Sequence, residues 1–189
     1  MKKETRTLLL DSAFNAFYKH GYQGASIGEI LKDVGINKGS MYHFFKSKKA
    51  LALAVIKEKI ALNIEKKYSL ILEEENCYEA LFLTLKSAPT TLIYGCPLNK
   101  MAQEMSYLDA DFKEALLPVY VTFETLVKEI LNQAIKQKEL NLEPSELLTK
   151  AKLIISTYEG ALMLYHLTQN REDFEALLTQ LQHQLLVKN

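Results

Sequence analysis

Few residues in this chain can break a helix. Seven glycines and four prolines punctuate 189 positions, too few for a fold of many short strands, and abundant Leu, Ala, Lys and Glu point to helices. The two cysteines, Cys77 and Cys96, make no disulfide framework and lack zinc-site spacing. No Glu-x-x-His pair occurs around His20, His43, His166 or His183, as a helical di-iron centre would need. Neither a P-loop nor a dinucleotide glycine pattern is present. Enzyme chemistry, a metal and a cofactor are therefore not expected. Long apolar runs are missing as well. The start, "MKKETRTLLLDSAF", offers only Leu8, Leu9 and Leu10, short of a signal-peptide core. "AKLIISTYEGALMLYHL" carries Lys152, Glu159 and His166 and makes a poor membrane span. The expectation is a cytoplasmic protein with no membrane partner.

What the sequence does hold is ample apolar material and an uneven charge. Hydrophobic residues reach 48%, enough for a real core at this length and against disorder. Formal charge sums to zero. Yet Lys2, Lys3, Arg6, Lys19, Lys32, Lys38, Lys46, Lys48 and Lys49 face only Glu4, Asp11, Glu29 and Asp33 within residues 1–50, leaving +5 there and −5 in the rest. A basic front on an acidic remainder suggests that only the front meets a polyanion.

Leu10, Ala13, Phe14 and Phe17 recur at helical spacing, with Gly21 placed for a left-handed C-terminal cap. In "SIGEILKDVG", Ser26 and Glu29 have capping-box spacing and Gly35 closes a short helix. Asn37 can cap a third helix, "KGSMYHFF", after a tight glycine turn. Two short helices joined in this way form a helix-turn-helix. Ser47 caps a long helix from Lys48 towards Leu72. "CYEALFLTLKSA" predicts another, "TTLIYG" a helix end or loop, and Pro97 suits a first helical position in "PLNKMAQEMS". Helical spacing then runs from Asp111 to Gln137, with a kink or later start at Pro118. It resumes from Ser145 to Thr168, and Asn170 can cap a last helix. The whole reads as all-α with about nine helices.

The stretch "AFNAFYKHGYQGASIGEILKDVGINKGSMYHFFKSKKALALAV" resembles the N-terminal DNA-binding domain of TetR-family (tetracycline-repressor-like) transcriptional regulators. Phe17, Gly21, Tyr22, Ser26, Ile27, Ile30, Gly35, Lys38, Gly39, Ser40, Tyr42, His43, Phe45, Ser47, Lys48 and Leu51 fit the family pattern without a gap. "YGCPLNKMAQEMS" is similar to the sixth helix of one subgroup, and "YEGALMLYHL" to the penultimate helix of many members. The chain departs at Ala25, Asn37 and Lys49, where Thr, Ser and Glu are usual, so no operator sequence carries over. The resemblance implies a helix-turn-helix DNA-binding domain over residues 1–50 and a helical effector-binding and dimerisation domain over 51–189. It implies a homodimer on near-palindromic double-stranded DNA, responsive to a small-molecule effector. Repression is the family default, and activation stays open.

A recognition helix this short presents its N-terminal residues to the major groove. Lys38 can reach guanine, Asn37 can pair with adenine or simply cap, and Ser40 can meet a base edge or a phosphate. Gly39 lets the backbone approach the duplex closely. Tyr42, His43 and Lys48 match positions at which the family contacts phosphate, although Tyr42 also suits a core, as Phe45 does. Ser26 sits where the free N–H groups of a helix start favour a phosphate. Lys2, Lys3 and Arg6 form an arm along the backbone or in the minor groove.

The helix from Ser145 is apolar nearly all round and must bury more than one face. Ile155, Gly160 and Leu162, with Phe174, Leu178, Leu181 and Leu185 of the last helix, are expected at the dimer interface that the resemblance implies. Tyr68, Tyr94, Cys96, Met101, Met105, Tyr120, Phe123, Tyr158 and Met163 either line an effector pocket or belong to a core. An aromatic, Met-rich lining suits a flat apolar or amphipathic ligand. Cys96, beside a helix start with Lys100 one turn on, is either a small buried hydrophobe or a low-pKa thiol that senses oxidants or electrophiles. The remaining alternative is a helical ligand-binding module that no longer binds DNA.

Overall fold

The computed structural model describes residues 2–87 and 89–186, the side chains of Lys2, Pro89 and Thr90 excepted. Every regular element among them is helical. In order they are α1 (Lys2–Gly24), α2 (Ile27–Val34), α3 (Lys38–Phe44), α4 (Lys48–Val55), a π turn (Ile56–Ile60) and α5 (Ala61–Ile71). There follow α6 (Cys77–Lys86), α7 (Pro89–Tyr94), α8 (Pro97–Met105), α9 (Ala110–Lys136), α10 (Leu147–Thr168) and α11 (Arg171–Leu186). None of these helices is long and apolar enough to cross a membrane.

The helix starts form where side-chain oxygens can take up free N–H groups. Ser26 accepts from Gly28 N–H at 3.1 Å, one residue earlier than a capping box places the bond. Asn37 accepts from Ser40 N–H at 2.9 Å, Ser47 from Ala50 N–H at 2.9 Å, and Asn170 from Asp173 N–H at 3.2 Å. Gly35 ends α2 in the left-handed conformation, at φ 74° and ψ 31°. Gly21 differs from its expected left-handed cap: φ is 76° but ψ is 169°, an extended positive-φ region that essentially only glycine enters. The "TTLIYG" stretch resolves as helix α7, ended by Gly95 at φ 86°. Pro118 lies inside α9, because Asp109 accepts from Asp111 N–H at 2.9 Å and starts the helix at Ala110.

From α4 to α5 the helix is continuous, widened at Ile56–Ile60 into a π turn that the spacing argument misses. Ile56, Ile60, Ile64 and Tyr68 are all buried. Each gap of four residues overshoots a straight helical stripe by about 40°. One wider turn takes up that drift and keeps the apolar side inward.

Contacts divide the chain into two compact units. One runs to Asn63 and includes Pro97–Tyr120; the other holds Ile64–Cys96 and the chain from Val121 onward. The first unit thus joins α8 and the start of α9 to the helix-turn-helix, whereas the sequence groups residues 51–189 together. Its core includes Leu9, Phe17, Ile30, Met41, Phe45, Leu51, Met101 and Phe112. The second unit buries Tyr68, Leu81, Phe82, Ile130, Tyr158, Phe174 and Leu178.

Candidate nucleic-acid interface

Helix α3 is held from beneath by Met41, which is completely buried, and by Phe45 just past its end. Truncating such a methionine costs about 2–5 kcal/mol, so its burial anchors the inner face of α3. Its outer face then carries Asn37, Lys38, Gly39, Tyr42 and His43, all exposed, with Ser40 half-exposed. Asn37 does cap: its Oδ1 accepts from both the N–H and the hydroxyl of Ser40. A Cβ at Gly39 would meet only Asn37 Oδ1, at 3.3 Å, so nothing else crowds the backbone there. Ser26 is exposed at the start of α2, and Ala25 beside it is buried, a site for a small apolar side chain.

The basic charges of this region divide into free and committed groups. Lys3 is exposed, whereas the side chain of Lys2 lies outside the described residues. Arg6 is not an arm. Its guanidinium makes two bonds to Glu58 of the π turn, at 2.7 and 2.5 Å, and lies 5.2 Å from the Phe45 ring centre. That bidentate pairing keeps the Glu58 carboxyl below its usual range. Lys49 bridges Asp109 at 2.8 Å and Asp111 at 2.6 Å, which raises its own pKa and lowers that of Asp109. Lys48 is half-buried. Its Nζ donates to Gln23 O at 3.3 Å and sits 4.8 Å from the Tyr22 ring centre. Burial pulls its pKa down, opposed by the charge of Glu104. The surplus of +5 therefore overstates what faces outward.

Sequence reasoning missed the corner between α1 and α2. Glu104 of α8 accepts from Tyr22 N–H and Gln23 N–H, both at 2.7 Å. One turn earlier, Lys100 donates to Tyr18 O at 2.8 Å and Lys19 O at 3.3 Å. Tyr22 packs its ring 4.7 Å from Phe112. The residues meeting here lie about eighty positions apart in the chain, so no local pattern carries them. The i, i+4 pair Lys100 and Glu104 was the one available signal.

Of the pocket candidates in the first unit, Met101 and Met105 are buried and Tyr120 is half-exposed. Met101 borders a cavity of about 10 Å³ shared with Phe14, Phe17, Tyr18, Ile60, Lys100 and Glu104, room for about one water. In the second unit Tyr68, Phe123 and Tyr158 are buried, with the Tyr68 and Phe123 ring centres 4.6 Å apart. Burial drives the Tyr68 hydroxyl well above its ordinary pKa. Tyr94 and Cys96 are half-exposed. Met163 is 55% exposed and lines no interior. The Lys100 ammonium serves α1, and the charge of Lys67 interacts with Cys96. Cys77 is buried, its thiol donating to Ile71 O at 3.1 Å.

The residues named from spacing for the dimer face are mostly core. Ile155, Leu162, Phe174, Leu178, Leu181 and Leu185 are all buried. Helical spacing finds the most apolar stripe, and that stripe turns inward. The outward apolar residues of α10 and α11 are Leu148, Leu153, Met163, Leu164, Leu167, Leu177 and Leu186. Gly160 keeps open space, with nothing within 4 Å of an added Cβ.

Comparison with known proteins decides the class. Residues 9–55 match the family described as bacterial regulatory proteins, tetR family, and residues 81–181 match the tetracyclin repressor-like C-terminal domain. This chain belongs to the TetR family. It is a transcriptional regulator with a helix-turn-helix DNA-binding domain. Among its relatives is an HTH-type regulator from the lacX 3′ region of Lactococcus lactis subsp. lactis, 29% identical over 92% of this chain and 89% of the relative. Another is the HTH-type transcriptional repressor DhaR of Mycobacterium sp. strain GP1, 26% identical over 92% and 88%. The reduced form of Escherichia coli NemR shares the fold, with a TM-score of 0.83 at 24% identity over 97% and 98% of the two chains.

Proposed function

We propose that this TetR-family regulator is a homodimeric repressor that grips a near-palindromic duplex through α3 and lets go when a small apolar or aromatic effector binds. The observation that carries the DNA reading is the outer face of α3, where Lys38, Gly39, Tyr42 and His43 stand exposed on a helix fixed by buried Met41. Two such faces about 34–36 Å apart meet successive major grooves. Pairing is supported by α10, where Leu153, Leu164 and Leu167 are exposed at helical spacing around Gly160; stripes of this kind mark interfaces. Repression is supported by the name of the relative DhaR. The aromatic cluster of Tyr68, Phe123 and Tyr158 supports a flat apolar effector. The test is fluorescence anisotropy with duplex DNA from upstream of the protein's own gene, against a mixed-sequence competitor. Retention of the upstream duplex at salt that strips the competitor supports the reading. A chain that binds no duplex at low ionic strength, or runs as a single protomer, overturns it.

A second reading assigns Cys96 a role as an oxidant or electrophile sensor. It rests on Lys67, half-buried, whose positive charge interacts with Cys96, since reactive cysteines lie in electropositive, partly exposed surroundings. Operator affinity measured after complete modification of Cys96, with Cys96→Ser as control, tests it. Unchanged affinity of the modified protein contradicts this reading.

A further inference from the structure

We propose that Glu104, on α8 and outside the helix-turn-helix, is a positioning residue of the DNA-binding surface that sets the α1–α2 corner and through it Lys48. The inference rests on the DNA-binding reading above. Its ground is a set of mutually independent contacts at one point of the first unit. The Glu104 carboxylate accepts from two successive backbone amides, Tyr22 and Gln23, at 2.7 Å each. Gly21 is built around that carboxylate: an added Cβ would stand 2.8 Å from Glu104 Oε2, and the backbone there, at φ 76° and ψ 169°, excludes other residues. Lys100 holds the carbonyls of Tyr18 and Lys19 on the near side of the break. α8 therefore grips α1 with a cation on its carbonyl end and an anion on the amides beyond.

The corner leads straight to the DNA side. Gln23, whose N–H is held by Glu104, offers its carbonyl to Lys48 Nζ at 3.3 Å. Three residues further on, Ser26 caps α2 and stands exposed. Moving the corner thus moves two groups expected to meet phosphate. The charge of Glu104 also supports the half-buried Lys48 ammonium.

The sign of the effect separates positioning from bulk electrostatics. A carboxylate acting only through its charge should, once removed, tighten binding to a polyanion. Positioning predicts the opposite. The experiment is a double-mutant cycle with Glu104→Ala and Lys48→Ala, read by anisotropy on a mixed-sequence duplex of about 30 base pairs at about 50 mM salt. Each single variant is expected to weaken binding about tenfold, and the double variant about ten- to twentyfold rather than about a hundredfold, because both act through one corner. Glu104→Gln keeps one acceptor oxygen and should lose about threefold; it replaces Glu104→Ala in the cycle if that variant does not fold. Amide exchange at Tyr22 and Gln23 should quicken in step with the loss of affinity. Tighter binding by Glu104→Ala, wild-type affinity, or simple additivity with Lys48→Ala overturns the proposal. Wild-type protein that ignores the duplex overturns the DNA-binding reading itself, a failure seen before any variant is made.

Discussion

Replacing Gly21 with alanine tests the corner through stability alone. The site is buried, has φ 76° and ψ 169°, and would place an added Cβ 2.8 Å from Glu104 Oε2. Holding a residue with a Cβ in that backbone region costs about 1–3 kcal/mol. The new methyl also pushes the carboxylate off two amides. Each such charged hydrogen bond is worth about 1.5–3 kcal/mol when buried, discounted here to about 1 kcal/mol because Glu104 is half-exposed. The sum is about 3–5 kcal/mol. For a protein of this length that lowers the melting temperature by about 6–20 °C. Glu104→Ala alone removes the bonds without the strain and should cost about 2 kcal/mol. The double variant should cost less than the two together, since the clash disappears with the side chain. Thermal melting followed by far-UV circular dichroism gives all three values. A Gly21→Ala protein within about 0.5 kcal/mol of wild type refutes the reasoning, because neither strain nor displacement would then be present.

Asn37→Ala should destabilise by about 1 kcal/mol through the lost cap of α3; Asn37→Ser should restore most of it, as a urea titration will show. Glu58 and Asp109 have depressed folded-state pKa values, from the Arg6 and Lys49 bonds respectively. Their stabilisation is complete above the ordinary carboxylate pKa and is lost as pH falls through the folded values. Melting temperature should therefore drop as pH falls below about 5, through the ordinary carboxylate range and on through the depressed folded values, and Arg6→Ala should flatten that drop. Leu167→Asp, at a side chain 78% exposed, should leave melting of the protomer within about 0.5 kcal/mol while shifting sedimentation from dimer to monomer.

Much of the fold could be read from caps and spacing. Ser26, Asn37, Ser47 and Asn170 start the helices that their oxygens predict, and Gly35 ends α2 as expected. Those are local events between residues two or three apart. The π turn escaped because a stripe drifting by about 40° every four residues looks, over short windows, like an ordinary helix. Gly21 signalled a break but not its shape, which depends on a carboxylate from α8. The exposed α3 face was legible because a motif carries it. The true state of Arg6 and Lys49 was not: their acidic partners, Glu58, Asp109 and Asp111, lie far off in sequence. Burial direction was the weakest inference. Leu178 and Leu181 share a helix with exposed Leu177, and periodicity alone does not say which stripe a partner covers.

The central claim is that exposed Lys38 faces the duplex while Arg6 is committed to Glu58. The slope of log affinity against log salt, measured for wild type, Lys38→Ala and Arg6→Ala between about 50 and 200 mM, tests it most directly. The account predicts a steep wild-type slope that Arg6→Ala leaves unchanged, and a Lys38→Ala protein that binds the upstream duplex more weakly while its slope stays steep, because Lys38 meets a base rather than a phosphate. An Arg6→Ala slope flattened by about one unit, a Lys38→Ala protein with wild-type affinity for the upstream duplex, or wild-type binding indifferent to salt would contradict it.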